Sequence, residues 1–187
     1  SSARNSSTWS RTNAATTRPA HLQCVVWAEG RRSKPASYRG GKGFTTVPTF
    51  VDTNVLVYAE DGTAGRKHDL ARDLIINLWN DRDGVLSVQV LQELYVTLTR
   101  KVGKPLPPGK ALAIVREYLS WVVVDNTPGL LVAAVGLQER ARISFWDALV
   151  VQAALHAECD RLYSEDLNAG QRFGSLLVVN PFAQPVR

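Results

Sequence analysis

The sequence has no methionine, two cysteines and three histidines in 187 residues. Cys24 and Cys159 stand far apart and share no short spacing with His21, His68 or His156, which excludes a zinc ligand set and a disulfide framework. A reducing compartment, the cytoplasm, is the expectation. No apolar run approaches the ~18 residues of a membrane span, and residues 148–155 are interrupted by Gln152, so a soluble chain without a membrane partner is expected. A phosphate-cradling loop is missing too, because Gly40-Gly41-Lys42-Gly43 lacks the Walker spacing and precedes the first predicted strand. An aspartyl nucleophile would want Asp-x-Asp after that strand, whereas Asp52-Thr53-Asn54 has no second acid. His68 and His156 have no Ser or Cys partner in a nucleophile motif and are expected at the surface or in packing.

Acid is almost absent from the first 48 residues, which carry eight Lys or Arg against Glu29 alone, so the net +5 divides into +7 there and −2 in the remainder. A mildly acidic body lacks the even basic face of a duplex-DNA binder. Rich in Ser, Thr, Arg, Gly and Pro and without an apolar period, residues 1–47 read as a disordered leader. Three explanations stand for it: a basic arm touching RNA, an organellar targeting segment, or a start assigned too far upstream. The third is favoured by the lack of methionine, by a periodic pattern that begins just after Val47-Pro48, and by a GTG codon reading as Val when internal.

Residues 48–187 form the organised domain, and the chain's 45% hydrophobic and 21% charged composition suits one core that needs no covalent staple. Residues 49–51 are a short strand running into a helix over 55–60. Apolar residues at 70, 71, 74, 75, 78 and 79 predict a helix over 68–79, closed by Asp81-Arg82-Asp83-Gly84. Val85-Leu86 is a strand, Ser87 caps a helix to about residue 102, and Gly103 ends it. A helix over 109–119, a strand over 121–124, and helices opened by Thr127-Pro128 and Ser144 follow, running to about 142 and 158. Strands over 161–163 and 175–179 complete the chain. Alternating strands and helices predict an α/β fold with a mostly parallel sheet covered on both faces, and ligands outside the carboxyl ends of its strands.

Acids collect at those ends: Asp52, Asp125 and the Glu165-Asp166 pair, with Glu93 and Asp147 inside helices. Each has an ordinary explanation. Asp52 can cap a helix, Asp147 stands three residues after Ser144 as in a capping box, and Glu93 can be a solvated helix residue. Against that, Val150, Val151 and Ala154 put Asp147 on an inward stripe, where a carboxylate needs a cation or several donors. If Asp52, Glu93, Asp147 and Asp166 converge, their repulsion calls for a hard divalent ion, Mg²⁺ or Mn²⁺. The basic residues that could hold phosphates are Arg66, Lys67, Arg100, Lys101, Lys104, Arg140, Arg142 and Arg172, and most are expected on solvated faces. Trp146, next to Asp147, is expected in the core, with base stacking as the alternative.

The segments Thr49-Phe50-Val51-Asp52-Thr53-Asn54-Val55-Leu56, Gln89-Val90-Leu91-Gln92-Glu93-Leu94, Ile143-Ser144-Phe145-Trp146-Asp147-Ala148-Leu149 and Tyr163-Ser164-Glu165-Asp166-Leu167-Asn168 resemble the four acidic motifs of PIN-domain nucleases, VapC-type toxins above all. The resemblance covers residues 48–182 and implies a PIN-like three-layer α/β/α fold with a short-stranded central sheet. It further implies a Mg²⁺- or Mn²⁺-dependent endoribonuclease in which Asp52, Glu93, Asp147 and Asp166 bind the metal, with Thr53, Asn54 and Glu165 in support. Single-stranded or loop RNA is the implied substrate, a cognate antitoxin and a second copy of the chain the implied partners. Where relatives carry His-Gly-Gln after the last acid, this chain has Ala169-Gly170-Gln171. The alternatives are a PIN nuclease that matures cellular RNA and a non-catalytic RNA-binding scaffold, the latter disfavoured because all four acids are present.

Overall fold

Short apolar runs, too short to alternate, become the buried heart of a sheet in the computed structural model, which describes residues 47–183. β1 (Thr49–Val51) and β2 (Gly84–Ser87) are buried along their whole length, as parallel strands covered on both faces must be. β3 (Val122–Val124), β4 (Arg161–Tyr163), β5 (Arg172–Phe173) and β6 (Leu176–Val179) complete a six-stranded sheet of order β3-β2-β1-β4-β6-β5. All pairings are parallel except that of β5 with β6. The leader expected over residues 1–47, with Cys24, lies outside the described residues except for Val47.

The helices are α1 (Thr53–Glu60), α2 (Arg66–Asp81), α3 (Val88–Arg100), α4 (Pro108–Tyr118), α5 (Pro128–Ala141) and α6 (Phe145–His156). Their starts follow from local chemistry. Asp52, Ser87, Thr127 and Ser144 each cap a helix by accepting a backbone N–H, and prolines occupy the first turns of α4 and α5. The first helix begins two residues before the expected 55 because Asp52 is its cap. β5 was not expected at all: two residues carry no readable period, and the pair exists because Gly174, at φ 62°, lets the chain turn back onto β6.

The chain moves outward from β1 to β2 to β3, then crosses back to lay β4 on the other side of β1. Right-handed crossovers place α1 to α4 on one face and, after the reversal, α5 and α6 on the other. The packing follows this division, with α1 against α2 and α3, α3 against α4, and α5 against α6. The result is the three-layer α/β/α arrangement. No helix among the described residues is long and apolar enough to cross a membrane.

Trp121 lies between β2 and an aromatic group, with its ring centroid 5.2 Å from Trp79 and 5.5 Å from Tyr118. It can do so because β2 begins with Gly84, where a methyl group would overlap the Trp121 ring. Gly84→Ala is therefore expected to destabilise the fold by about 1–3 kcal/mol through overpacking, measured by urea unfolding. A loss under a few tenths would show that Trp121 is free to move aside.

Candidate functional site

β1 and β4 are neighbours in register, Val51 opposite Tyr163, and they flank the point at which the strand order reverses. Their carboxyl ends open the crevice where such sheets bind ligands. Asp52 leaves β1 there, with its backbone N–H on the Tyr163 carbonyl at 3.0 Å. Its carboxylate is buried and accepts three donors: the Thr53 backbone N–H at 2.7 Å, Ser164 Oγ at 2.7 Å and Asn54 Nδ2 at 3.3 Å.

The other acids reach this group through hydroxyl and amide bridges. Thr53 Oγ1 donates to Glu93 Oε2 at 2.8 Å, and Gln89 Nε2 donates to Glu93 Oε1 at 2.9 Å. Asn54 Nδ2 spans Asp52 and Asp166, lying 3.1 Å from Asp166 Oδ2, while its own Oδ1 accepts the Glu165 N–H at 3.4 Å. Ser164 Oγ donates to Asp52 and accepts the N–H groups of Asp166 and Leu167, which shapes the turn after β4. Asp52, Glu93 and Asp166 thus share one polar network drawn from β1, α3 and the end of β4.

Asp147 belongs to that network by no hydrogen bond among the described residues. Its carboxylate accepts the Ser144 hydroxyl at 2.7 Å, and its N–H donates back to the same oxygen at 3.1 Å. Its helix does run to the right edge: the four residues between α6 and β4 tie the end of α6 to the amino edge of the sheet, so its first turn lies at the carboxyl edge. The stripe behind Asp147, formed by Val150, Val151 and Ala154, is buried as expected. Trp146 corrects the expectation of a core residue. It is 61% exposed, because it lies off that stripe, with an edge-to-face contact to Phe145 at 5.3 Å.

The PIN domain family model matches residues 49–171. The chain belongs to the PIN domain family. Among solved structures it is similar to the Mycobacterium tuberculosis toxin VapC20, described as cleaving the sarcin–ricin loop, with a TM-score of 0.50, 24% identity, and coverage of 63% of this chain and 89% of that one. That likeness is one of fold. No curated protein gives a significant match. The PIN family is one of nucleases, so phosphodiester hydrolysis is the activity class of this chain.

Among the described carboxyls of this PIN domain, Asp52 is the one pushed upward. Burial pushes Asp52 up to about 6; the Ser164 and Thr53 hydrogen bonds oppose the rise, and the charges of Asp166 and Glu93 add to it. Glu165 moves the other way. Burial raises it, but hydrogen bonds from Lys67 at 2.5 Å and Tyr58 at 2.8 Å outweigh that and leave it below the ordinary value. His68 lies outside the network, its Nδ1 on the Tyr58 carbonyl at 2.9 Å, and exposed His156 ends α6. Cys159 is buried, which pushes its thiol up to about 12 and makes it a packing residue.

Among the described residues no three acidic, histidine or cysteine side chains converge on one point, since hydroxyl and amide groups stand between the carboxylates. The donor chemistry nonetheless fits a hard divalent ion that keeps part of its water shell. Every available ligand is oxygen. The charge of Asp52 is disfavoured as it stands, and the buried Gln89 Oε1 has no donor among the described residues. Sequence reasoning named Thr53, Asn54 and the acids but gave no role to Ser164 or Gln89. The signal for Ser164 was its place at the end of β4, two residues before an acid.

Because Asp52 titrates higher in the fold than in the unfolded chain, its contribution to stability is fully present below about pH 4 and is lost as pH rises through about 6. With chelator present, Asp52→Asn is expected to stabilise the chain at pH 8 by on the order of 1–3 kcal/mol, an advantage that fades by pH 4. Equal destabilisation at both pH values in denaturant titrations would make the carboxylate a structural cap instead.

Proposed function

We propose that the chain is a Mg²⁺- or Mn²⁺-dependent endoribonuclease, the cytoplasmic toxin of a toxin–antitoxin pair, that hydrolyses a phosphodiester in single-stranded or loop RNA. The observation that carries the reading is the linking of Asp52, Glu93 and Asp166 through Thr53, Asn54 and Ser164 at the switch point of the sheet. Likeness in fold to a toxin that cleaves an RNA loop supports the substrate class. An open crevice at strand ends also suits unstacked backbone better than an A-form groove.

Asp52, Asp147 and Asp166 would hold the ion directly or through water, and Glu93 would ligate or orient water beside it. Bound there, a divalent cation supplies charge stabilisation at phosphorus and the leaving oxygen and makes water a better nucleophile at neutral pH. The chain's own side chains supply the geometry. Ser164 and the Thr53 N–H fix both oxygens of Asp52 and partly offset the cost of ionising it where it is buried. Thr53 and Gln89 hold Glu93 by both oxygens, so its free lone pairs have a set direction for accepting a proton from water. Asn54 places Asp166, which is exposed and so faces incoming substrate.

An antitoxin that covers the acidic crevice is the partner this reading calls for, an arginine being the side chain best matched to paired carboxylates. A homodimer draws support from Leu131, Val132 and Val135, exposed on α5. The full chain, incubated with cellular RNAs and Mn²⁺ or Mg²⁺, is expected to give discrete cuts that chelator abolishes and Asp52→Asn reduces at least ~100-fold. No cleavage by a folded chain that binds metal would favour the scaffold reading. Metal-dependent cleavage without growth arrest on induction would favour an RNA-maturation enzyme.

A further inference from the structure

Lys67 occupies the first turn of α2, where a positive charge opposes the helix dipole. Its position makes sense only through tertiary contacts. The ammonium lies 2.5 Å from Glu165 Oε1, 3.3 Å from the Tyr58 hydroxyl and 4.6 Å from the Tyr58 ring centroid. The Tyr58 hydroxyl in turn donates to the other oxygen of Glu165 at 2.8 Å, and Phe182 closes on the Tyr58 ring at 5.1 Å. Both oxygens of Glu165 are therefore engaged, and its charge is matched by one specific cation.

Asn54 and Tyr58 are four residues apart on α1 and share a face. Both reach the turn after β4, Asn54 to Asp166 and to the Glu165 N–H, Tyr58 to the Glu165 side chain. Lys67 is the third point of the grip, from α2. A partly exposed ion pair contributes little to stability by itself, and the Lys67 and Glu165 side chains are 40% and 26% exposed. The consequence of the contact is geometric. It separates two adjacent carboxylates, drawing Glu165 toward α2 and leaving Asp166 turned to the crevice.

We propose that Lys67 and Tyr58 are positioning residues, which by holding Glu165 set the Ser164–Glu165–Asp166 turn and keep Glu165 from competing with Asp166 for the ion. This rests on the reading of Asp166 as a metal-binding carboxylate. It also gives Lys67 a task other than phosphate contact, because its charge is already spent on Glu165.

The test uses the full chain as wild type, Lys67→Met, Glu165→Gln, the double variant and Tyr58→Phe. Each is measured for Mn²⁺ affinity by calorimetry, for kcat and KM on an RNA substrate, and for thermal melting. Lys67→Met and Glu165→Gln should each weaken Mn²⁺ binding and lower kcat by roughly tenfold, the usual cost of losing a residue that orients a ligand. KM for RNA should stay within about twofold, and the double variant should be no worse than either single one. Tyr58→Phe, which keeps the ring packing, should shift Mn²⁺ affinity in the same direction and carries the test if Lys67→Met does not fold. A raised KM in Lys67→Met with unchanged Mn²⁺ affinity would overturn the proposal and make Lys67 an RNA contact. Additive losses in the double variant would overturn it as well. A wild-type chain that neither binds Mn²⁺ nor cuts RNA would sink the nuclease reading, whereas an active wild type with unaffected variants would sink this inference alone.

Discussion

Three carboxylates drawn to one end of a sheet repel one another, and one of them, Asp52, is buried. Everything around the crevice answers that constraint. Asp52 is the cap of α1, the acceptor of Ser164 and the neighbour of Asn54, yet these donors do not cancel its burial, and its carboxyl remains displaced to about 6. A protein selected for stability alone would put Asn or Ser at that cap. On the function proposed above, the carboxylate is half of an interaction whose other half is a cation.

The topology is what brings the acids together. Strand order reverses beside β1, so the loops after β1 and β4 share one crevice, and the start of α3 enters it from β2 on the other side. Short polar side chains then convert proximity into fixed geometry. Thr53 and Asn54 are consecutive residues on α1 that face different acids, Glu93 and Asp166, and Ser164 ties the turn after β4 back to Asp52. Lys67 and Tyr58 extend this frame outward by engaging Glu165, the acid next to Asp166.

The strands and helices were legible in the sequence because their signals are local. Ser87, Thr127-Pro128 and Ser144 state where helices begin, and the runs at 49–51 and 122–124 are made of β-prone residues. β5 was not legible, since it exists only through its partner β6. Trp146 was misplaced because residue type alone argues for burial, while its position on α6, one residue off the inward stripe, decides for solvent. The acids could be nominated from their places at strand ends. Their partners could not: Ser164 and Asp52 are 112 residues apart, Lys67 and Glu165 98 apart, and such pairings are a product of the crossover. Asp147 shows the limit from the other side, for its local contact with Ser144 is what a capping box predicts, and the role proposed for it draws on the edge to which α6 points rather than on any contact.

The measurement that bears most directly on this account is a calorimetric titration of the full chain with Mn²⁺ at pH 6 and pH 8, beside Asp52→Asn. The account predicts saturable binding, accompanied at pH 6 by release of protons from the carboxyl that burial pushes up to about 6 and weakened at least ~10-fold in the variant. Binding of equal strength in wild type and Asp52→Asn, or none in either, would contradict it.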